Sequence, residues 1–328
     1  MIKNSLKKIY IKISRMLGYE IIDQNKFVSP TLNKELNENL SIFNDKSVVL
    51  PLGEVKITRK INSLLIVFRT NSKIEIWDQN KKRIFEEEKI VYVEKSLKSL
   101  IKSILWSKKY LPSLEIKLIV LDDNSSLNNL EKIKNLIQSY NLNFEIINHD
   151  TTKYKNIIKV QKTNETFSNL SSLLTSFNIG KEYGEDLIFF VEDDYIHFEN
   201  MITDVIMTFE RISSQLRKDI FICPSDYPYL YMNNEKTDVL IGNSRHWRTI
   251  NKTLCTFLTS KNLLNKYWIN FEKNCLDRHE PFEKYLNKIY EKEICISPLK
   301  SLSIHLANIN SSYGLSPFID YKKIWEEN

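Results

Sequence analysis

Leu187-Ile188-Phe189-Phe190-Val191-Glu192-Asp193-Asp194 runs five apolar residues straight into three carboxylates. A strand covered on both faces loses the apolar–polar alternation of a half-exposed one and reads as an unbroken apolar run. Two earlier stretches have the same form: Leu64-Leu65-Ile66-Val67-Phe68 ends at Arg69-Thr70-Asn71, and Ile116 to Leu121 ends at Asp122-Asp123-Asn124-Ser125. Shorter strands are expected at Phe144 to Ile147 and Ile220 to Cys223. Between the strands, apolar residues recur at helical spacing, as in Val93, Leu97, Leu100, Ile101 and Ile104, or in Met201, Ile202, Val205, Ile206 and Phe209. Two more such patterns run through Leu130, Ile133 and Ile137 and through Phe167, Leu170, Leu174 and Phe177. Buried strands alternating with amphipathic helices predict an α/β fold on a mainly parallel sheet with helices on both faces. A less regular, antiparallel region is expected after residue 224.

Further out, residues 1–18 read as a basic amphipathic helix. Ile2, Leu6, Ile9, Tyr10, Ile13, Met16 and Leu17 recur at helical spacing, Lys3, Lys7, Lys8, Lys12 and Arg15 fall largely between them, and Gly18 stops the pattern. Such a helix lies either on an anionic membrane surface or against the protein's own body. Residues 19–60 are polar, rich in Asn and Lys and without a period, and are expected as a linker or irregular extension; 61–328 reads as one α/β domain.

Composition narrows the function. The 328 residues are 42% hydrophobic, enough for a large core. The six glycines form neither G-x-G-x-x-G nor G-x-x-x-x-G-K-[ST], which excludes the usual glycine-built phosphate cradles. No run of about 18 apolar residues is present to span a membrane, and the N-terminal stretch is too charged for a secretory signal. Cys223, Cys255, Cys275 and Cys295 lack metal-ligand spacing and read as reduced, buried thiols, which fits a cytoplasmic enzyme. Of the net charge of +6, five positive charges fall in the first 17 residues, which contain no acid. The body is therefore close to neutral, and no nucleic-acid partner is expected.

In an open parallel sheet, ligands bind beyond the carboxyl ends of the strands. Arg69-Thr70-Asn71, Asp122-Asp123-Asn124-Ser125 and Glu192-Asp193-Asp194 should therefore gather at one rim. Side chains alternate along a strand, so Glu192 and Asp194 should project to the same side. Adjacent carboxylates beside an apolar strand repel each other unless a cation is near, and Mg²⁺ or Mn²⁺ takes oxygen ligands from carboxylates and substrate phosphates. The cluster is thus either a metal–diphosphate site or a solvated acidic turn that merely stops the strand.

Taken together, the Arg-Thr and Asp-Asp-Asn-Ser strand ends and Phe189-Phe190-Val191-Glu192-Asp193-Asp194-Tyr195-Ile196-His197 resemble nucleotide-sugar glycosyltransferases of the GT-A fold, in the manner of a family-2-like bacterial enzyme. Asp226-Tyr227-Pro228-Tyr229, Arg245-His246-Trp247-Arg248 and Ser297-Pro298 with His305 look like the same group's later blocks. The resemblance implies a nucleotide-binding half from about 61 to 223 and an acceptor half from about 224 to 328. It implies Asp122 or Asp123 on the nucleoside, and Arg69 with Thr70 along base and ribose. Asp194 would be the principal metal ligand, for Mn²⁺ or Mg²⁺, with Glu192 or Asp193 on ribose or a metal-bound water. His305 would approach the metal or diphosphate; its alternative is a hydrogen-bonded core histidine. Asn164 and Ser168 would be either donor contacts or plain helix caps.

An inverting transfer needs a general base for the acceptor hydroxyl and positive charge for the leaving diphosphate. Arg248 and Lys300 are candidates for the charge. The base candidates are Glu280 and Asp277, in Asp277-Arg278-His279-Glu280-Pro281, with Glu283 as a third. The Asp277–Glu280 spacing is also that of a capping box, with Pro281 in the first helical turn. Tyr227, Tyr229 and Trp247 either stack on sugar rings or belong to the core. The expected activity is a metal-dependent transfer from a nucleotide-diphosphate sugar to a glycan or lipid-linked saccharide, at the inner face of a membrane if the N-terminal helix docks there. The rival readings are a sugar-phosphate nucleotidyltransferase, whose glycine-rich loop is missing after the first strand, and a non-catalytic GT-A-like binding scaffold.

Overall fold

β1 (Ser63–Thr70) is hydrogen-bonded on both edges, in parallel, to β2 (Glu115–Asp122) and to β4 (Leu187–Glu192), and β2 pairs in parallel with β3 (Phe144–Asn148). The unbroken apolar runs are explained by what covers them. Leu64, Ile66 and Phe68 share one core with helices α2 (Lys89–Tyr110), α3 (Leu127–Ser139) and α5 (Met201–Leu216). Leu65 and Val67 point the other way, into a second core with α4 (Asn164–Tyr183) and three later helices. Those three are α6 (Lys261–Lys266), α7 (Trp268–Cys275) and α8 (Lys284–Tyr290). Two of the few glycines lie where α4 passes over β4: a Cβ on Gly180 would meet the Phe190 ring at 2.7 Å, and one on Gly184 would meet Ile188 at 2.5 Å.

The computed structural model describes residues 2–19, 32–33, 49–50, 53–73, 84–159, 164–232, 236–307 and 312–328. The expected extension at 19–60 lies largely outside them; within it, Leu32–Asn33, Val49–Leu50 and Gly53–Val55 pair as a small antiparallel sheet. Helix α1 (Ile2–Met16) is formed as expected. Its residues Leu6, Ile9, Tyr10, Ile13 and Met16 are between 50% and 80% exposed, so the described residues do not cover its apolar side. Among the described residues no helix is long and apolar enough to cross a membrane. All four cysteines are free and buried.

After β4 the chain forms a short ribbon and then the second half of the sheet. The ribbon pairs β5 (Tyr195–His197) with the much later β11 (Ser303–His305). The sheet adds β6 (Phe221–Ile222), β7 (Val239–Ile241), β8 (His246–Ile250), β9 (Phe257–Ser260) and β10 (Cys295–Pro298), in the order β7-β8-β10-β6-β9-β4-β1-β2-β3. β8 and β9 are antiparallel to both of their neighbours, and the other strands all share one direction. The sheet is therefore mainly parallel, with the expected antiparallel component after residue 224. A last helix, α9 (Tyr321–Glu327), packs Trp325 on Phe85 and Tyr92 of the α2 side. At the end of the sheet where β1 begins, Arg59 bridges Asp186 at 2.6 Å and Asp219 at 2.9 Å. The opposite end is the rim on which the chemistry depends.

Candidate functional site

The register sets the rim. Thr70 of β1 is paired with Asp122 of β2, and Arg69 with Glu192 of β4, so all three strands release their polar residues at one level. Alternation then sorts the side chains. Arg69 and Glu192 continue the Leu65–Val67 and Ile188–Phe190 side and form an ion pair at 2.7 Å. Thr70 and Asp193 continue the opposite side, toward α2. β4 ends at Glu192, and Asp193-Asp194 forms the turn into β5.

The five rim acids fall into two groups. Glu192 and Asp193 are matched by the protein. Beyond Arg69, Glu192 accepts a long contact from the Thr256 hydroxyl at 3.4 Å. Asp193 accepts from the Thr70 hydroxyl at 2.9 Å and the Asn71 amide at 3.0 Å, and pairs with the Lys89 ammonium. Arg69 is itself fixed by Asn169 at 2.6 Å and Ser172 at 3.3 Å, one helical turn apart on α4. Asp122, Asp123 and Asp194 each have one oxygen engaged and one buried without a partner among the described residues. Asp122 accepts from the Ser125 amide, Asp123 from the Ser168 hydroxyl, and Asp194 faces the His305 imidazole at 3.3 Å, while their Oδ1 atoms meet no donor. A buried acceptor left unmatched costs about 1–3 kcal/mol, more for a charged group, so native structures keep few of them.

Electrostatics follow this division. Burial pushes the Asp122 carboxyl up, with the Ser125 hydrogen bonds opposing it. Burial also raises Glu192, against the pull of Arg69. For Asp194 burial acts upward too, but His305 outweighs it and holds the carboxyl below the ordinary range. The imidazole shows the converse: burial lowers it, and the Asp194 charge more than offsets this, so His305 stands above its usual value. The ribbon brings these two together. His305 is paired with Tyr195, stacks on its ring at 4.7 Å, and turns its other nitrogen to the Tyr313 carbonyl at 2.8 Å. Among the described residues no three His, Cys, Asp or Glu side chains are grouped to hold a metal by themselves.

Other expected residues lie elsewhere. Arg248 is buried and matched by Asp226 at 2.7 Å, under the Tyr231 ring. Lys300 lies at a backbone turn with φ 70°, its carbonyl accepting from Arg245. Trp247 lies on β8, fully buried, and Tyr227 and Tyr229 are buried in the second core, so the sugar-stacking alternative is corrected to the core one. Tyr227 donates to or accepts from Tyr195 at 2.7 Å. The capping-box alternative for Asp277 is also corrected: α8 begins at Lys284, beyond Pro281, and the Asp277 carboxylate accepts the Arg278 amide instead. Glu280 is not brought to the rim acids; its side chain is 84% exposed, at 3.5 Å from Arg278. Glu283 is buried, and its charge reaches the Cys255 thiol together with those of Glu192 and Arg69. Ser168 is inside α4 rather than at its cap, and the Asn164 side chain lies outside what is described.

Four residues escaped the sequence reading. Lys89 opens α2, where a cation opposes the helix dipole, and that misfit is a signal that an acid waits for it. Asn169 and Ser172 form a polar pair on the core side of α4. His149 follows β3, donates its amide to the Asp122 carbonyl at 2.7 Å, and bonds Ser171 at 2.9 Å.

No family model and no curated protein matches the chain. Among solved structures it is similar to the galactosyltransferase LgtC in complex with donor and acceptor sugar analogues, at 11% identity over 69% of this chain and 70% of that one, with a TM-score of 0.34. It is similar to GalNAc-T7 with UDP, GalNAc and Mn²⁺, at 12% identity, 82% of this chain, 47% of that one and a TM-score of 0.45. It is also similar to UDP-glucose pyrophosphorylase complexed with UDP-glucose, at 9% identity, 73% and 90% coverage and a TM-score of 0.36. The chain thus spans less than half of the GalNAc-T7 chain. Its own sheet order, strand directions and two-sided helix cover give an α/β fold on a mainly parallel sheet, as expected.

Proposed function

We propose that the chain is an inverting glycosyltransferase that moves a sugar from a nucleotide-diphosphate donor to a hydroxyl of a glycan or lipid-linked saccharide, with Mn²⁺ or Mg²⁺. One observation carries this reading: among the described residues, three buried carboxylate oxygens, on Asp122, Asp123 and Asp194, stay unmatched at one rim while Glu192 and Asp193 are paired. A solvated acidic turn would not bury them.

Asp194 and His305 fit a divalent cation, since a carboxylate with a free buried oxygen stands beside an imidazole. So small a protein donor set suits an ion that takes its remaining ligands from phosphates and water. Bound there, the cation would offset charge on the leaving diphosphate. The remaining roles belong to side chains. Asp122 and Asp123 accept from the nucleoside's N–H and O–H groups. Arg69, held by Asn169 and Glu192, fixes the floor of the donor half, about 61–223. In the acceptor half, about 224–328, we assign the base to Glu283 rather than to Glu280 or Asp277, because it alone of the three is buried. As the acceptor oxygen bonds to the anomeric carbon, Glu283 takes its proton and the bond to the diphosphate breaks with its electron pair on the departing oxygen.

The test is release of nucleoside diphosphate from UDP-, GDP-, CDP- and dTDP-sugars with Mn²⁺ and with a chelator. Metal-dependent release from one donor class is expected; release of pyrophosphate from a sugar phosphate and nucleoside triphosphate, with no activity on donors, would replace this reading with nucleotidyl transfer.

A further inference from the structure

Helix α1 is unlike every other helix of the chain. The other described α-helices bury apolar side chains in the cores of the body, α9 through Trp325 in a smaller cluster with Tyr92 and Ile304, whereas the described residues leave Leu6, Ile9, Tyr10, Ile13 and Met16 of α1 open. At ~100° per residue, Ile2, Leu6, Ile9, Tyr10, Ile13, Met16 and Leu17 fall within one arc of about 120°. Lys3, Lys7, Lys8, Lys12 and Arg15 take the opposite arc, where Ile11 is the apolar exception. No acid occurs in the first 17 residues. Charge thus discriminates between the possible occupants of the apolar side. A second copy of the helix would bring five positive charges against five. A neutral groove would use the apolar side and leave the basic side unexplained. An anionic lipid surface uses both, with apolar side chains below the headgroups and lysines level with the phosphates.

We infer that α1 is a reversible anchor lying in the interface of an anionic lipid membrane. Its free apolar side and single-sign polar side match such a surface. One short helix gives weak, salt-sensitive binding, which suits an enzyme that must reach an interfacial acceptor and leave again. The inference does not depend on the donor site, because none of its residues belongs to the rim.

The test is co-sedimentation of the full chain with vesicles of phosphatidylcholine alone and of phosphatidylcholine mixed with phosphatidylglycerol. Binding to the mixed vesicles only, falling as salt rises, is expected. Lys8→Gln with Lys12→Gln should weaken that binding by about 30-fold, since each basic residue near an anionic surface contributes a near-fivefold factor. Ile9→Glu with Ile13→Glu should abolish it, while thermal unfolding of the body stays unchanged because these side chains touch neither core. Equal binding to both vesicle types, or none to either, would overturn the inference. So would a dimer in sedimentation velocity that Ile9→Glu with Ile13→Glu dissolves, which would assign the apolar side to a second copy.

Discussion

Asp193 and Asp194 are adjacent, of the same side-chain type and on the same turn, yet they are held in opposite ways. Asp193 is surrounded by the Thr70 hydroxyl, the Asn71 amide and the Lys89 ammonium. Asp194 has one imidazole contact and a buried oxygen that no described residue meets. The first carboxylate closes the joint between β1, β4 and α2. The second is positioned by that joint and left open. Building a site of this kind takes both: matched acids bear the repulsion of the cluster so that unmatched ones can be presented to a ligand.

If that division is right, the largest effect on stability belongs to the matched acid. Asp193→Ala strands a half-buried Lys89 and should cost about 3–5 kcal/mol in denaturant unfolding, the usual penalty for breaking a buried pair. Asp194→Asn, which keeps the shape but loses the charge facing His305, should lower the unfolding midpoint by less than Asp193→Ala does, and lower transfer roughly a thousandfold, about 4 kcal/mol of transition-state stabilisation. An exchange of these two outcomes would break the comparison. Glu283→Gln sharpens it on the acceptor side, with kcat reduced about 100-fold, as expected for loss of a general base, and with donor KM unchanged. Glu280→Gln is the smallest: an exposed side chain beside Arg278 should shift stability by less than about 0.5 kcal/mol and leave kcat as it was.

Much of this division is visible in the chain itself. The four parallel strands were legible because coverage on both faces removes alternation, and their acid ends were legible because nothing apolar follows them. What matches the acids was not. Lys89 meets Asp193 across 104 residues, and Asn169 meets Arg69 across 100; local spacing carries no trace of such pairings. For Arg69 the sequence shows a charged strand end but not its partners, and the guanidinium bonds Glu192, Asn169 and Ser172. The later half was less legible because its strands are two to five residues long, too short for a period, and because β9 inserts between β4 and β6 by a pairing that only tertiary packing decides. Trp247 shows the consequence: its sequence neighbours leave sugar stacking and core packing both open, and its ring lies in the core over Gly242.

The central claim is that the unmatched oxygens are a nucleotide-diphosphate and cation site. Its most direct test is the thermal shift of the full chain with UDP, GDP, CDP and dTDP, each with and without Mn²⁺, repeated on Asp194→Asn. A stabilisation by one nucleotide that requires Mn²⁺ and vanishes in Asp194→Asn is predicted. A folded protein that shifts with none of them, or one whose shift survives Asp194→Asn undiminished, would contradict the assignment.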